Sequence, residues 1–292
     1  MATAIMTDSN SGITAQEAER IGVALAAMPF LVNGETYHEG VDLPRDQFFQ
    51  LLRNGASVST SQVEPGSLIR AWENLLLNHD GVVYIPMSSG LSGSCVTAAA
   101  LASGFNGRVQ VVDNHRISVT QRQSVYDAVG LAQEGRTALE IKEALEADAY
   151  YAGIYIAVDT LEYLRKGGRL SGAESLVGTV LQIKPVLQIS GEKLVPFRKV
   201  RGMKAARKVM VEAMLTDAKG LFRDFCRWGE MQLMVSYSDV SDEVRDSWLE
   251  EVAAAFPGLS IVHAPLALSI CCHTGPGALG IGMCHFHTPT NG

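Results

Sequence analysis

Val82-Val-Tyr-Ile-Pro-Met87, followed at once by Ser88-Ser-Gly-Leu-Ser-Gly-Ser94, decides the fold. Val82 to Ile85 is an unbroken apolar run rich in β-branched and aromatic residues, as in a strand buried on both faces of a parallel sheet. Pro86 ends the run, and the Ser/Gly loop feeds a helix of small residues that stops near Gly104. Val109-Gln-Val-Val-Asp113 then supplies a second strand. Strand, loop, helix, strand is the unit of a parallel sheet with a right-handed crossover. The chain is therefore expected to be α/β.

Toward the N-terminus, Ala2–Met6 reads as the first strand, followed by the loop Thr7-Asp-Ser-Asn-Ser-Gly12. Thr14-Ala-Gln-Glu17 is a capping box, and Ala18, Ile21, Gly22, Leu25 and Met28 recur behind it at helical spacing. A helix is expected from Pro44 to about Asn54, stopped by Gly55, and another along Leu68, Ile69, Trp72, Leu75 and Leu76. Helices near 117–133 and 138–148 follow, the second opened by Thr137-Ala-Leu-Glu140.

Toward the C-terminus the pattern changes. Gly153–Val158 reads as a strand, Leu161–Arg165 as a short helix, and Pro185–Val200 as a hairpin turning near Ser190-Gly191-Glu192. Helical stretches run from Met203 to Ala218 and on to Trp228. Strands Met231–Tyr237 and Leu259–His263 flank a helix at Ser241–Ala255, and a last strand covers Leu279–Phe286. The change near residue 150 divides the chain into an N-terminal α/β domain, 1–150, and a C-terminal α/β domain, 151–292.

The 292 residues are 47% hydrophobic and 19% charged, ample for a core. A formal net charge of −7 argues against a nucleic-acid partner, which calls for a clustered basic surface. Met1–Asp8 lacks a basic n-region, and Ile21–Val32, the most apolar stretch, is too short to span a bilayer and contains Gly22 and Pro29. No stable membrane insertion is expected. Five cysteines, an odd number, fit reduced thiols and a cytoplasmic location.

The Ser/Gly loop lies where open α/β sheets bind ligands, beyond the carboxyl end of a strand. Glycines let the backbone approach an anion, and hydroxyls and N–H groups donate to it. An ordinary βα turn with helix caps has the same composition. The Gly-Lys-Ser/Thr ending of a P-loop is missing, so nucleotide binding is not implied. Thr60-Ser61 stands before a helix, as cap or ligand donor. His273-Thr-Gly-Pro-Gly277 places an imidazole and a hydroxyl beside a Gly/Pro turn.

Cys271, Cys272, His273, Cys284, His285 and His287 depart from paired metal-ligand spacing, with adjacent cysteines diverging on a strand. No metal is expected there, only packed thiols and a surface His pair. Asp8 and Asp113 follow strands without a partner for acid–base work, and helix capping is the expectation for both. Arg165-Lys-Gly-Gly-Arg169 and Arg198-Lys-Val-Arg201 are basic clusters, either solvated faces or anion- or partner-docking patches.

Taken in order, Thr7-Asp-Ser9, Thr60-Ser-Gln62, Ser88–Ser94, Leu161-Glu-Tyr-Leu-Arg-Lys-Gly-Gly-Arg-Leu170, Ile183-Lys-Pro185, Lys199-Val-Arg201 and His273–Gly277 resemble the DegV family of fatty-acid-binding proteins, from about residue 4 to 286. The resemblance implies a two-domain fold, an N-terminal parallel sheet and a C-terminal mixed sheet, with a long-chain fatty acid between them as ligand and no further cofactor. It implies carboxylate ligands at Thr60, Ser92 and His273, with Ser61, Ser89, Gly93 and Thr274 beside them. No catalytic residue is implied. Such proteins carry the lipid for a fatty acid kinase, whose separate ATP-binding subunit makes an acyl phosphate for phospholipid synthesis. Arg169 and Arg201 resemble the residues used there for partner docking or phosphoryl transfer. Two departures are Ser94-Cys95 in place of a Thr-Tyr pair and Val63-Glu64 in place of a proline after Thr-Ser-Gln. The residues taken alone leave two other classes open. One is a self-contained phosphotransferase or hydrolase acting on a small anion; the other is a metal-dependent regulatory protein using the C-terminal Cys/His group.

Overall fold

The structure, a computed structural model, describes residues 2–169, 183–190 and 193–287. Its first half runs β1 (Thr3–Asp8), α1 (Ala15–Ile21), β2 (Val23–Ala26), β3 (Pro29–Val32), β4 (Glu35–His38), α2 (Arg45–Arg53) and β5 (Val58–Thr60). It continues with α3 (Pro65–Leu75), β6 (Gly81–Ile85), α4 (Ser94–Ala102), β7 (Val109–Val111), α5 (Ser118–Gln133) and α6 (Ala138–Ala147). Strands β2-β1-β6-β7 form a wholly parallel sheet in that order. Every residue of β6 is buried, as its unbroken apolar run requires.

The second half runs β8 (Ala152–Ala157), α7 (Glu162–Lys166), β9 (Ile183–Ser190), β10 (Lys193–Arg201), α8 (Met203–Lys219), α9 (Arg223–Trp228) and β11 (Met231–Tyr237). α10 (Asp242–Ala255), β12 (Ile261–Pro265), α11 (Leu268–Thr274) and β13 (Leu279–His285) complete it. The six strands order β10-β9-β8-β13-β11-β12; β11 and β12 pair in parallel and the other neighbours antiparallel, giving a mixed sheet. The chain thus has the α/β fold expected, with one parallel and one mixed sheet. The expected turn at Gly191-Glu192 lies outside the described residues.

Helix α5 is the layer the two sheets share. Val125, Ala128 and Leu131 pack with Ile5, Val83 and Ile85 of the parallel sheet. Val119 packs with Met234, Ala264 and Cys284 of the mixed sheet. A helix buried on both sides must be apolar or satisfied all round. Its buried Gln121 meets that demand on one side only: Nε2 donates to Asp8 Oδ1 at 3.0 Å and to the Ile85 carbonyl at 3.1 Å, while Oε1 is buried without a partner.

Three expectations are corrected. The helix opened by Thr14 ends at Ile21, because Gly22 takes the left-handed conformation at φ 69° and its N–H bonds the Ala18 and Glu19 carbonyls. Leu25 then lies in β2 and Met28 just beyond it. Second, β3, β4 and β5 form a small antiparallel sheet, β4-β3-β5, absent from the sequence reading. Asn33 and Gly34 both have positive φ, 52° and 88°, as a two-residue hairpin turn demands. Third, Leu268–Thr274 is a helix, so Cys271 and Cys272 do not diverge on a strand.

Among the described residues, no helix is long and apolar enough to cross a membrane.

Candidate functional site

Alternation along β8, β9 and β10 builds an apolar wall. Ile154 and Ile156 point to one face of the mixed sheet, opposite Ile189 and Leu187, and Leu194 lies opposite Ile189. Tyr155, Ala157 and Val186 point the other way, into the core under α8. The Ile154 face borders a cavity whose empty space, mouth included, is about 900 Å³. Met28, Met87 and Ile117 also line it from the N-terminal domain, Leu266 from the segment after β12 and Ile270 from α11.

Polar side chains gather on one part of this lining. Thr60, Ser61, Ser92, Arg169, His273 and Thr274 all border the cavity. His273 Nε2 lies 3.0 Å from Thr60 Oγ1, joining the end of β5 to the last turn of α11. The other ring nitrogen, Nδ1, is buried without a hydrogen-bond partner, and Gly167 packs against it so closely that a Cβ there would come within 2.1 Å. Burial, and then the nearby Arg169 charge, push His273 down to about 4. At neutral pH the ring is uncharged and donates a single hydrogen bond. Arg169 Nη1 donates to the Gly167 carbonyl at 2.7 Å and its Nε to the Leu91 carbonyl at 3.4 Å, which sets the guanidinium beside Ser92.

Ser92 Oγ accepts the Ser94 N–H at 3.2 Å and lies 2.9 Å from Ser94 Oγ. It supplies the cap that Gly93, at the helix boundary, cannot. Ser89 and Gly93 stand outside the lining: the Ser89 N–H donates to Asp113 Oδ1 at 3.2 Å, and Gly93 lies against Gln62. Arg201, at the end of β10 opposite Ile183, is exposed and also outside it. The structure therefore brings together Thr60, Ser61, Ser92, His273, Thr274 and Arg169, and leaves Ser89, Gly93 and Arg201 apart.

Other residues hold these in place. Asp8 is fully buried and accepts the N–H groups of Asn10 and Met87, both at 3.0 Å, besides the Gln121 amide. It caps the turn Ser9–Ser11, as expected, and also ties β1 to the loop that carries Ser92. Asp113 does not cap a helix; it anchors Ser89 in that loop. Glu39 and Arg45 were not anticipated. The Glu39 carboxylate accepts the N–H groups of Leu268 and Ser269 at 2.8 and 3.0 Å, and Arg45 Nη1 donates to the Leu266 carbonyl at 2.7 Å. Ala267, at the start of α11, offers no side-chain cap, so the helix bearing His273 is held by the small sheet's flank.

The C-terminal thiols are inert packing groups. Cys271, Cys272 and Cys284 are buried, and burial pushes Cys271 and Cys284 up to about 12. The His pair is not at the surface, as the sequence suggests. His285 is buried and His287 half-buried, because both rings turn onto Asp148 at the end of α6.

Fold and site together define a two-domain α/β protein enclosing an apolar cavity that ends in neutral hydroxyl and imidazole groups beside one arginine. The chain belongs to the DegV family, whose sequence profile matches residues 2–285. Protein DegV of Bacillus subtilis is 31% identical, over 97% of this chain and 99% of its own length. A DegV domain-containing protein of Deinococcus radiodurans is also 31% identical, over 97% and 98%. A fatty-acid-binding DegV family protein from Thermus thermophilus superposes with a TM-score of 0.85 at 29% identity, over 98% of this chain and all of that one. The crystal structure of DegV from Bacillus subtilis, a fatty acid binding protein, gives 0.82 at 28% identity, over 98% and 99%.

Proposed function

We propose that this chain binds one long-chain fatty acid, with its tail along the Ile154, Ile156, Leu187 and Ile189 wall and its carboxylate among Thr60, Ser61, Ser92, His273 and Thr274. The observation that carries this reading is the joining of an apolar cavity to a cluster of neutral donors. Burying about 14 to 16 methylenes at about 0.8 kcal/mol each contributes about 12 kcal/mol. Ordering the chain and losing free motion offset several kcal/mol of that, which leaves sub-micromolar binding. A carboxylate without partners would cost more than the tail gains. Charge-assisted hydrogen bonds from the hydroxyls and the His273 ring meet that cost, and Arg169 supplies an opposite charge at the same end.

The fatty acid bound by the Thermus and Bacillus proteins supports the ligand class. We further propose that the head group is presented to an ATP-binding fatty acid kinase subunit for acyl phosphate formation, with exposed Arg201 in partner docking or phosphoryl transfer. Native mass spectrometry of the purified chain tests the first step: one bound fatty acid is expected, and a reproducibly empty protein rejects it. For the second step, Arg201→Ala is expected to retain lipid while slowing phosphorylation by the kinase subunit. Release of lipid by that variant would reject its role.

A further inference from the structure

Asp148, at the end of α6, meets the two histidines at the end of β13. Its Oδ2 lies 2.6 Å from His285 Nδ1 and 2.5 Å from His287 Nε2. All three side chains offer a donor atom within 4.8 Å of the others. His287 Nε2 is buried and, despite this closeness, makes no hydrogen bond of acceptable geometry. Two imidazole nitrogens and a carboxylate oxygen gathered within 4.8 Å of one another are a donor set that can close around a cation once the Asp148 contacts open from hydrogen-bond to ligand spacing.

The surroundings fit. His285 Nε2 lies 3.7 Å from the Glu230 carboxylate, an outer partner for the ring once its Nδ1, 2.6 Å from Asp148 Oδ2, exchanges that hydrogen bond for a metal. The ring is held by Phe225, whose centroid is 4.4 Å away. Buried Arg116 donates through Nη2 to the main-chain carbonyls of both Asp148 and His285, each at 3.3 Å, and so fixes the two segments relative to each other. His287 is the most exposed of the three and marks the entry side.

We propose that Asp148, His285 and His287 bind a divalent cation of the zinc class. Imidazole and carboxylate suit zinc, and three protein ligands leave a fourth position for water. The ion would staple the last strand to the end of α6, independently of the lipid cavity. No described cysteine takes part.

The test uses the full chain, stripped with chelator, titrated with zinc chloride and dialysed. Elemental analysis of the wild type should return one zinc per chain, with a rise in melting temperature. His287→Gln and Asp148→Asn should each lose the retained zinc and the rise, while His263→Gln keeps both. Far-ultraviolet circular dichroism and a cooperative thermal transition report that each variant is folded. A folded wild type that retains no zinc overturns the proposal, as does retention in folded His287→Gln. Either result leaves the lipid reading untouched.

Discussion

Glu39 caps a helix that begins 229 residues later. Its carboxylate accepts the N–H of Leu268 at 2.8 Å, and the far end of the same helix carries His273 against Thr60. Replacing Glu39 with Ala removes the acceptor for two N–H groups. A loss of about 1 kcal/mol of stability is expected in urea unfolding, the usual scale for a lost cap. Fatty acid retention should fall as well, because α11 no longer holds His273 in register. Unchanged retention would separate the cap from the site.

Gly167→Ala probes the same ring from behind. The glycine has φ −78°, which any residue adopts, so the backbone carries no strain. The new methyl would sit within 2.1 Å of His273 Nδ1, and the ring must move. Fatty acid affinity is expected to drop about tenfold, or about 1.4 kcal/mol, with little change in melting temperature. Fluorescent fatty acid displacement measures it.

The donors themselves can be removed singly. Thr60→Val and Ser92→Ala each take one hydroxyl from the proposed carboxylate site, at about 1 to 3 kcal/mol. Weaker lipid retention in native mass spectrometry is the expected outcome. Normal retention in both variants would displace the head group to another part of the lining.

Acidification has a defined sign. His273 is pushed down from 6.5 to about 4, so within that window the unfolded chain holds a proton that the folded chain does not. Its contribution to stability is full above pH 6.5 and is lost as pH falls toward 4. Comparing urea unfolding of the wild type and His273→Gln at stepped pH should show a flatter profile for the variant in that window. Parallel profiles would contradict a buried neutral imidazole.

Tail selection should follow the wall. Ile154→Phe fills space on the cavity face, and Ile189 opposite cannot retreat into the sheet. Shorter acyl chains are expected among lipids extracted from this variant, read by mass spectrometry. An unchanged profile would move the tail off β8 and β9.

The parallel sheet was legible because β6 announces itself as an apolar run and the Ser/Gly loop follows it. The hydroxyl and imidazole groups could be named from local signals: Thr60 and Ser92 precede helices, and His273 precedes glycines. Their meeting could not, since the Thr60–His273 contact spans 213 residues. Glu39, Arg45 and the union of Asp148 with His285 and His287 have no local signature at all, because the tertiary fold alone makes them neighbours. The helix beyond Gly22 was a coincidence of spacing: Leu25 and Met28 keep the helical period but sit in and after β2. Asn33-Gly34 was a readable hairpin signal in a short, weakly patterned stretch.

Because α5 packs against both sheets, severing the chain at residue 150 would not release two self-sufficient halves. The N-terminal fragment would expose Val119 to water, and the C-terminal fragment would uncover Met234, Ala264 and Cys284, which lie against that residue in the intact molecule. The two fragments, produced separately, should aggregate or remain unfolded, and recover a folded state only when mixed. Near residue 150 the pattern of elements changes, yet α5 remains a wall that both cores share.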